Sequence, residues 1–166
     1  IFYFIVSTQG SVQALISVQR LTHFTNWVVG HSHTGLLGFA GFIAVGVMYD
    51  VLPQLVGRPV YSARLANFQW WCMLIGQTGF MVVLTIAGLI QGSAWLNGEA
   101  LYRVLPELHV YMVSRATMGM FIVVGAYVQL WNVWMTLRSR PPERETLEPT
   151  LSLYDETAFP EDEQCK

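Results

Sequence analysis

Carboxylates are scarce through most of this chain. Eleven of its 166 residues are acidic and eight of those follow Arg138, leaving only Asp50, Glu99 and Glu107 ahead of it. None of the three lies deep in an apolar run, so these segments alone hold no Asp/Glu proton relay. Lysine is scarcer still, with Lys166 the only one, and the basic residues before Arg138 (Arg20, Arg58, Arg64, Arg103 and Arg115) are scattered singly. That excludes a basic stripe of the kind that binds nucleic acid. Cys72 and Cys165 are the only cysteines. With no C-x-x-C or C-x-x-C-H spacing, a disulfide framework and a covalently attached haem are both excluded. No internal repeat is present. The chain opens at Ile1 and runs directly into Phe2-Tyr3-Phe4-Ile5-Val6. Without a basic n-region or a cleavage site no signal peptide is expected, and the opening reads as a span entered midway or as a split product.

Apolar sequence is what remains. Hydrophobic residues make up 53% of the chain and charged ones 12%, with a mean hydropathy of +0.41. Because most of the charge lies in the last part, windows of about 20 uncharged residues are left, long enough to cross a bilayer. The expectation is an all-α integral membrane protein with four transmembrane helices, at about 1–18, 27–52, 65–92 and 106–137. Pro53 should stop the second span and Pro106 start the fourth. The remainder, 139–166, is polar and acidic, with Pro141, Pro142, Pro149 and Pro160. It buries too little apolar surface to fold alone, so it is either disordered or docked on a partner.

Arginine placement orients the spans. Arg58, Arg64, Arg138, Arg140 and Arg144 fall on one side, against Arg20 and Arg103 on the other. By the positive-inside rule the C-terminal tail is cytoplasmic.

The second span carries His31-Ser32-His33 in its outer part. At about 100° per residue, positions i and i+2 leave opposite sides of a helix, so the two imidazoles cannot share one metal. Two separate centres flanking the helix is the reading that this spacing suits, and haem is the flat cofactor that takes a neutral imidazole from a helix flank. The alternative is a pair of histidines hydrogen-bonded between packed helices. Gly30, Gly35 and Gly38 serve either reading, leaving room for a macrocycle or for a close helix.

Four other polar residues qualify as site candidates or as ordinary packing. Gln9 needs partners if buried, and it precedes Gly10 in the segment next to the histidine helix. A metal-bound imidazole donates its other ring N–H to an acceptor that fixes the ring, and a Gln oxygen is a weaker acceptor than a carboxylate. His23 reads as a solvated interfacial histidine or as a donor to haem propionates. Arg115, about 13 Å along the fourth span at 1.5 Å per residue, is too deep to stand uncompensated and calls for a carboxylate, a propionate or carbonyls. His109, alone near the start of that span, reads as structural.

The order T-H-F-T-N-W-V-V-G-H-S-H-T-G-L-L-G-F, with Gln9-Gly10 upstream and Ala87-Gly88-Leu89-Ile90-Gln91-Gly92-Ser93-Ala94-Trp95 downstream, resembles the C-terminal part of the catalytic subunit of C-family haem-copper oxidases. These are the cbb3-type cytochrome c oxidases. The resemblance covers Ile1 to about Arg138 and implies the last four helices of a twelve-helix bundle in a bacterial inner membrane or its equivalent. It implies two b-type haems. His31 would be the proximal ligand of the high-spin haem, where oxygen is reduced to water with proton uptake, and His33 an axial ligand of the low-spin haem that passes it electrons. His23 would lie by the haem propionates, and Arg115 matches an Arg of the last helix. The copper-binding histidines, the cross-linked tyrosine and the second low-spin ligand would lie upstream of Ile1. The chain would therefore act only with an N-terminal portion that binds copper or another metal, and with cytochrome c-type or other electron-donor subunits. Two departures stand out. Gln9 replaces a Glu that accepts from the proximal histidine, and Asn26 replaces an Asp. Nitric oxide reductases of the same superfamily, which make nitrous oxide, are the second reading. A non-catalytic membrane subunit or a cytochrome b anchor is a third.

Overall fold

The computed structural model describes residues 1–139 and is entirely helical there. The tail expected at 139–166 lies outside the described residues from position 140 on. In chain order the elements are α1 (Phe2–Gln13), α2 (Ile16–Thr22), α3 (Asn26–His33), a π-helical segment (Thr34–Gly41), α4 (Phe42–Val56), α5 (Ala63–Leu96) and α6 (Leu101–Arg138). The α3, π and α4 stretches form one rod, Asn26–Val56, and among the described residues this rod, α5 and α6 are the three helices long and apolar enough to cross a membrane.

The span expected at 1–18 is not one helix. It breaks at Leu15, whose backbone is extended (φ −68°, ψ 129°), into a 12-residue and a 7-residue piece. At 1.5 Å per residue neither piece matches the roughly 30 Å of a hydrocarbon core. Pro53 does not stop the second span either. It sits inside α4, which runs on to Val56 and ends where Gly57 turns left-handed at φ +64° and Arg58 N–H closes on the Pro53 carbonyl at 3.1 Å. A proline this close to the C-terminus forfeits only its own hydrogen bond, whereas the left-handed glycine terminates the helix. Pro106 likewise lies inside α6, which begins at Leu101. The extra turn forms because Val104 and Leu108 bury themselves against Ala87 of α5.

Helices α5 and α6 form an antiparallel hairpin about 50 Å long at 1.5 Å per residue, joined by a turn in which Gly98 has φ +78°. The start of the rod packs on α5, its later part reaches α6 where Asn132 Nδ2 donates to Tyr49 OH at 3.4 Å, and α1 covers the π segment. Its outward apolar side chains, Leu36, Ile43, Val47 and Leu55 among them, remain exposed.

Buried amides and hydroxyls, none of them expected above, tie the helix ends. Asn132, fully buried on α6, accepts from Ser62 N–H at 3.1 Å and donates to the Ser62 carbonyl at 3.0 Å. Thr136, one turn on, accepts from Tyr61 N–H at 3.0 Å. These bonds pin the loop entering α5. Replacing Asn132 with Leu leaves the Ser62 N–H unpaired, at a cost of about 1–3 kcal/mol, while the Ser62 carbonyl keeps only the Ala66 N–H at 3.2 Å. The expected result is faster amide exchange at Tyr61–Ser62 and a lower thermal midpoint in detergent.

Candidate functional site

The two histidines close the first α-helical stretch of the rod, whose N-terminus is firmly capped. The Thr25 hydroxyl accepts from Trp27 N–H at 3.3 Å. Gln91 of α5 reaches across so that its Oε1 accepts from both Asn26 N–H (3.0 Å) and Asn26 Nδ2 (2.8 Å). This capping is what a helix start needs, since its first N–H groups have no partners within the helix. His31 and His33 both precede the π segment, so ordinary α spacing holds between them and their rings leave opposite sides of the rod.

Their surroundings differ accordingly. The His31 ring stacks on Trp27, one turn back, with centroids 5.5 Å apart and planes 11° apart. Its Nδ1 faces Gln9 Oε1 of α1 at 3.5 Å. Gly10 lies beside the same ring, close enough that a methyl there would make ordinary contact with it. An open hollow of about 320 Å³ adjoins this side, lined by Gln9 and Trp27 together with Phe4, Ile5, Thr8 and Val12. His33 points towards α5, its ring 4.9 Å from that of Phe80. Its Nδ1 donates to the Val29 carbonyl of its own helix at 2.8 Å. Each imidazole thus has Nδ1 turned to an oxygen acceptor, which places the hydrogen there and leaves the Nε2 lone pair open. This is the tautomer that ligation through Nε2 requires. The hold is unequal, because 2.8 Å is a good hydrogen bond and 3.5 Å is at the limit of one.

The other candidates are dispersed. His23 is exposed beyond α2, and its Nδ1 accepts from Gln19 Nε2 at 2.9 Å, which leaves the Nε2–H free to donate. Its ring packs on Phe24, the only described non-glycine residue with a left-handed backbone (φ 61°). With Arg20, Gln19 and Trp95 it lines an open hollow of about 440 Å³. The two donors His23 and Arg20 suit an anionic group there. Arg20 was legible as a site residue only from its i, i+3 spacing to His23. Arg115 is half-buried on α6, where its neighbours Ser114 and Thr117 bond back to their own helix. Among the described residues it has no hydrogen-bonding or ion-pair partner and does not join the histidines. His109 is exposed. No group of three or more His, Cys, Asp or Glu among the described residues is placed to hold a metal ion.

Gln91, Gly88 and the π segment were missed by sequence reasoning. Gln91 offered the same signal as Gln9, an amide in an apolar span. The π segment offered none beyond its glycines, although such turns recur at functional sites.

Residues 1–122 match the family model described as cytochrome c and quinol oxidase polypeptide I. The chain belongs to the cytochrome c and quinol oxidase polypeptide I family. Among curated relatives it is 33% identical over 144 residues to a cytochrome c oxidase subunit 1 homolog of Agrobacterium tumefaciens, covering 82% of this chain and 27% of that one. It is 29% identical over 145 residues to a bacteroid cytochrome c oxidase subunit 1 homolog of Bradyrhizobium diazoefficiens, covering 82% and 26%. It is also 29% identical over 149 residues to the cbb3-type cytochrome c oxidase subunit CcoN1 of Stutzerimonas stutzeri, covering 85% and 31%. The chain therefore spans between a quarter and a third of the length of these relatives. Family membership and three span-length apolar helices make it an integral membrane protein.

Proposed function

We propose that this chain is the haem-bearing part of the catalytic subunit of a respiratory haem-copper oxidase, with His31 binding the high-spin haem and His33 the low-spin haem. The observation that carries the reading is the pair of imidazoles on opposite sides of one helical turn, each with Nδ1 turned to an oxygen acceptor. When bound, the two haems would supply one-electron transfer and the reduction of a gas at the open iron. The chain's own residues orient them. Val29 and Phe80 fix the His33 ring, while Gln9 and Trp27 fix that of His31. His23 and Arg20 offer donors to anionic haem edges at the outer end, and Arg115 awaits an anion from outside the described residues. Both irons would hang on one rod, about one helix diameter plus two ligands apart. In this reading α1 and α2 form the first of four crossings, the tail is cytoplasmic, and the four crossings end a twelve-helix bundle. An N-terminal portion supplies copper or another metal, and cytochrome c-type or other subunits supply electrons.

Oxygen reduction to water, with proton uptake, is the first reading of the reaction. Reduction of nitric oxide to nitrous oxide is the second, carried by the neutral Gln9 amide where the family resemblance implies a carboxylate. The test is the carbon monoxide difference spectrum of the dithionite-reduced whole assembly, with haem extracted and counted. Two b-type haems, one binding carbon monoxide, are expected, and paired oxygen and nitric oxide turnover then separates the two reactions. Haem that ignores carbon monoxide would identify an anchor, and no haem a structural subunit.

Gln9 provides an independent check. A carboxylate at this position would draw the Nδ1 hydrogen more strongly and make the imidazole more electron-rich, which stabilises the ferric state. Gln9→Glu is therefore expected to lower the midpoint potential of the carbon monoxide-binding haem in a redox titration. An unchanged or higher value removes Gln9 from the His31 site.

A further inference from the structure

We propose that Gln91 is a positioning residue for the His31 imidazole, acting through the first turn of α3. The inference rests on the haem-binding reading of His31. Gln91 belongs to α5, where it is 7% exposed, and its single Oε1 takes both donors of Asn26 at 2.8 and 3.0 Å. The same face of α5 presents Gly88 to the backbone of Trp27, so the start of the rod rests in a socket formed by Gly88 and Gln91. Trp27 is 7% exposed and lies flat against His31. The line of contact runs from α5 through Asn26 and Trp27 to His31. It bypasses His33, whose Nδ1 is bound within its own turn.

The pairing also bears on Asn26. An Asp there has no donor for Gln91 Oε1, so the Gln91 amide would have to reverse and the backbone N–H of residue 26 would lose its acceptor. An amide at position 26 matches an acceptor at position 91, and a carboxylate does not.

Losing the Gln91 acceptor leaves two donors unmet at the helix start, frees Trp27 to shift and loosens the His31 ring, whose one side-chain hydrogen-bond contact among the described residues is the 3.5 Å approach to Gln9. In the whole assembly Gln91→Leu is expected to speed amide exchange of residues 26–30 about tenfold. The spectrum and midpoint potential of the carbon monoxide-binding haem should shift, while the low-spin haem bands stay in place. Gln91→Glu keeps the acceptor and should restore both. Unchanged exchange in Gln91→Leu overturns the proposal. So does faster exchange with an unmoved carbon monoxide-binding haem, since Gln91 would then only support the fold. If Gln91→Leu does not assemble, Asn26→Ala removes one of the two bonds and should shift the same signals by less, and no shift overturns the proposal. Absence of a carbon monoxide-binding haem in the unsubstituted assembly overturns the functional reading instead, and the exchange contrast between the Leu and Glu variants still judges the contact.

Discussion

Replacing His31 with Ala is expected to abolish the carbon monoxide-binding haem of the assembly while the low-spin haem remains, and His33→Ala to do the reverse. The split follows from geometry. The two rings leave opposite sides of the rod and have no common partner: His31 touches Gln9 and Trp27, and His33 touches the Val29 carbonyl and Phe80. Neither Nε2 can substitute for the other without unwinding the turn between them. Turnover should vanish in both variants, because under the proposed reading the His31 variant would lack the gas-reducing centre and the His33 variant its electron supply. Spectra therefore discriminate where activity does not. If both variants retained two haems with normal bands, the histidines would be packing residues. Loss of both haems in each variant would point to a single shared centre, contrary to the observed divergence of the rings.

Gly88→Ala is the second large effect. A Cβ at Gly88 would overlap the backbone nitrogen of Trp27 and lie 2.6 Å from its Cα. A flexible side chain could swing aside, but backbone cannot, so the start of α3 would have to lift off α5. Overpacking a tight site costs about 1–3 kcal/mol, sometimes more. Here it would also break both Gln91 bonds to Asn26. The expected result is a lower thermal midpoint in detergent and haem content well below stoichiometric. Gly119→Ala is the matched control, since nothing lies within 4 Å of a Cβ built there. Its effect should be neutral, or slightly stabilising from the roughly 1 kcal/mol difference in helix propensity. Equal behaviour of the two variants would show that the Gly88 contact does not hold the rod.

The divergence of the two histidines was more legible in the sequence than the fold around them. Two histidines at i, i+2 on a helix must diverge wherever that helix lies, because the angle between them is a property of the α-helix alone. Gln9 was identified by the cost of burying an amide, and it does face His31. The same argument applied to Gln91, Asn132 and Gln77, each at most 7% exposed, but nothing in the sequence says which amides meet backbone groups and which do not. Gln91 and Asn132 bond to helix-end backbone, whereas neither side-chain polar atom of Gln77 has a partner among the described residues. Helix ends were the least legible. Pro53 and Pro106 were read as boundaries, yet the rod ends at a left-handed Gly57 and α6 is extended by packing on Ala87.

By itself the sequence determined three things: that most of the chain is too apolar and too poor in charge for water, that its long segments are helical, and that two imidazoles leave one helix on opposite sides. These are local properties, fixed by composition and by the pitch of an α-helix. Only the tertiary structure decided that the first apolar segment breaks at Leu15, that a π-helical segment follows His33, and that α5 seats the histidine helix through Gly88 and Gln91. Each of these depends on which surfaces meet. A backbone break, a widened turn or a glycine socket is stabilised by contacts between residues as far apart as Asn26 and Gln91, and no local pattern encodes such a pairing.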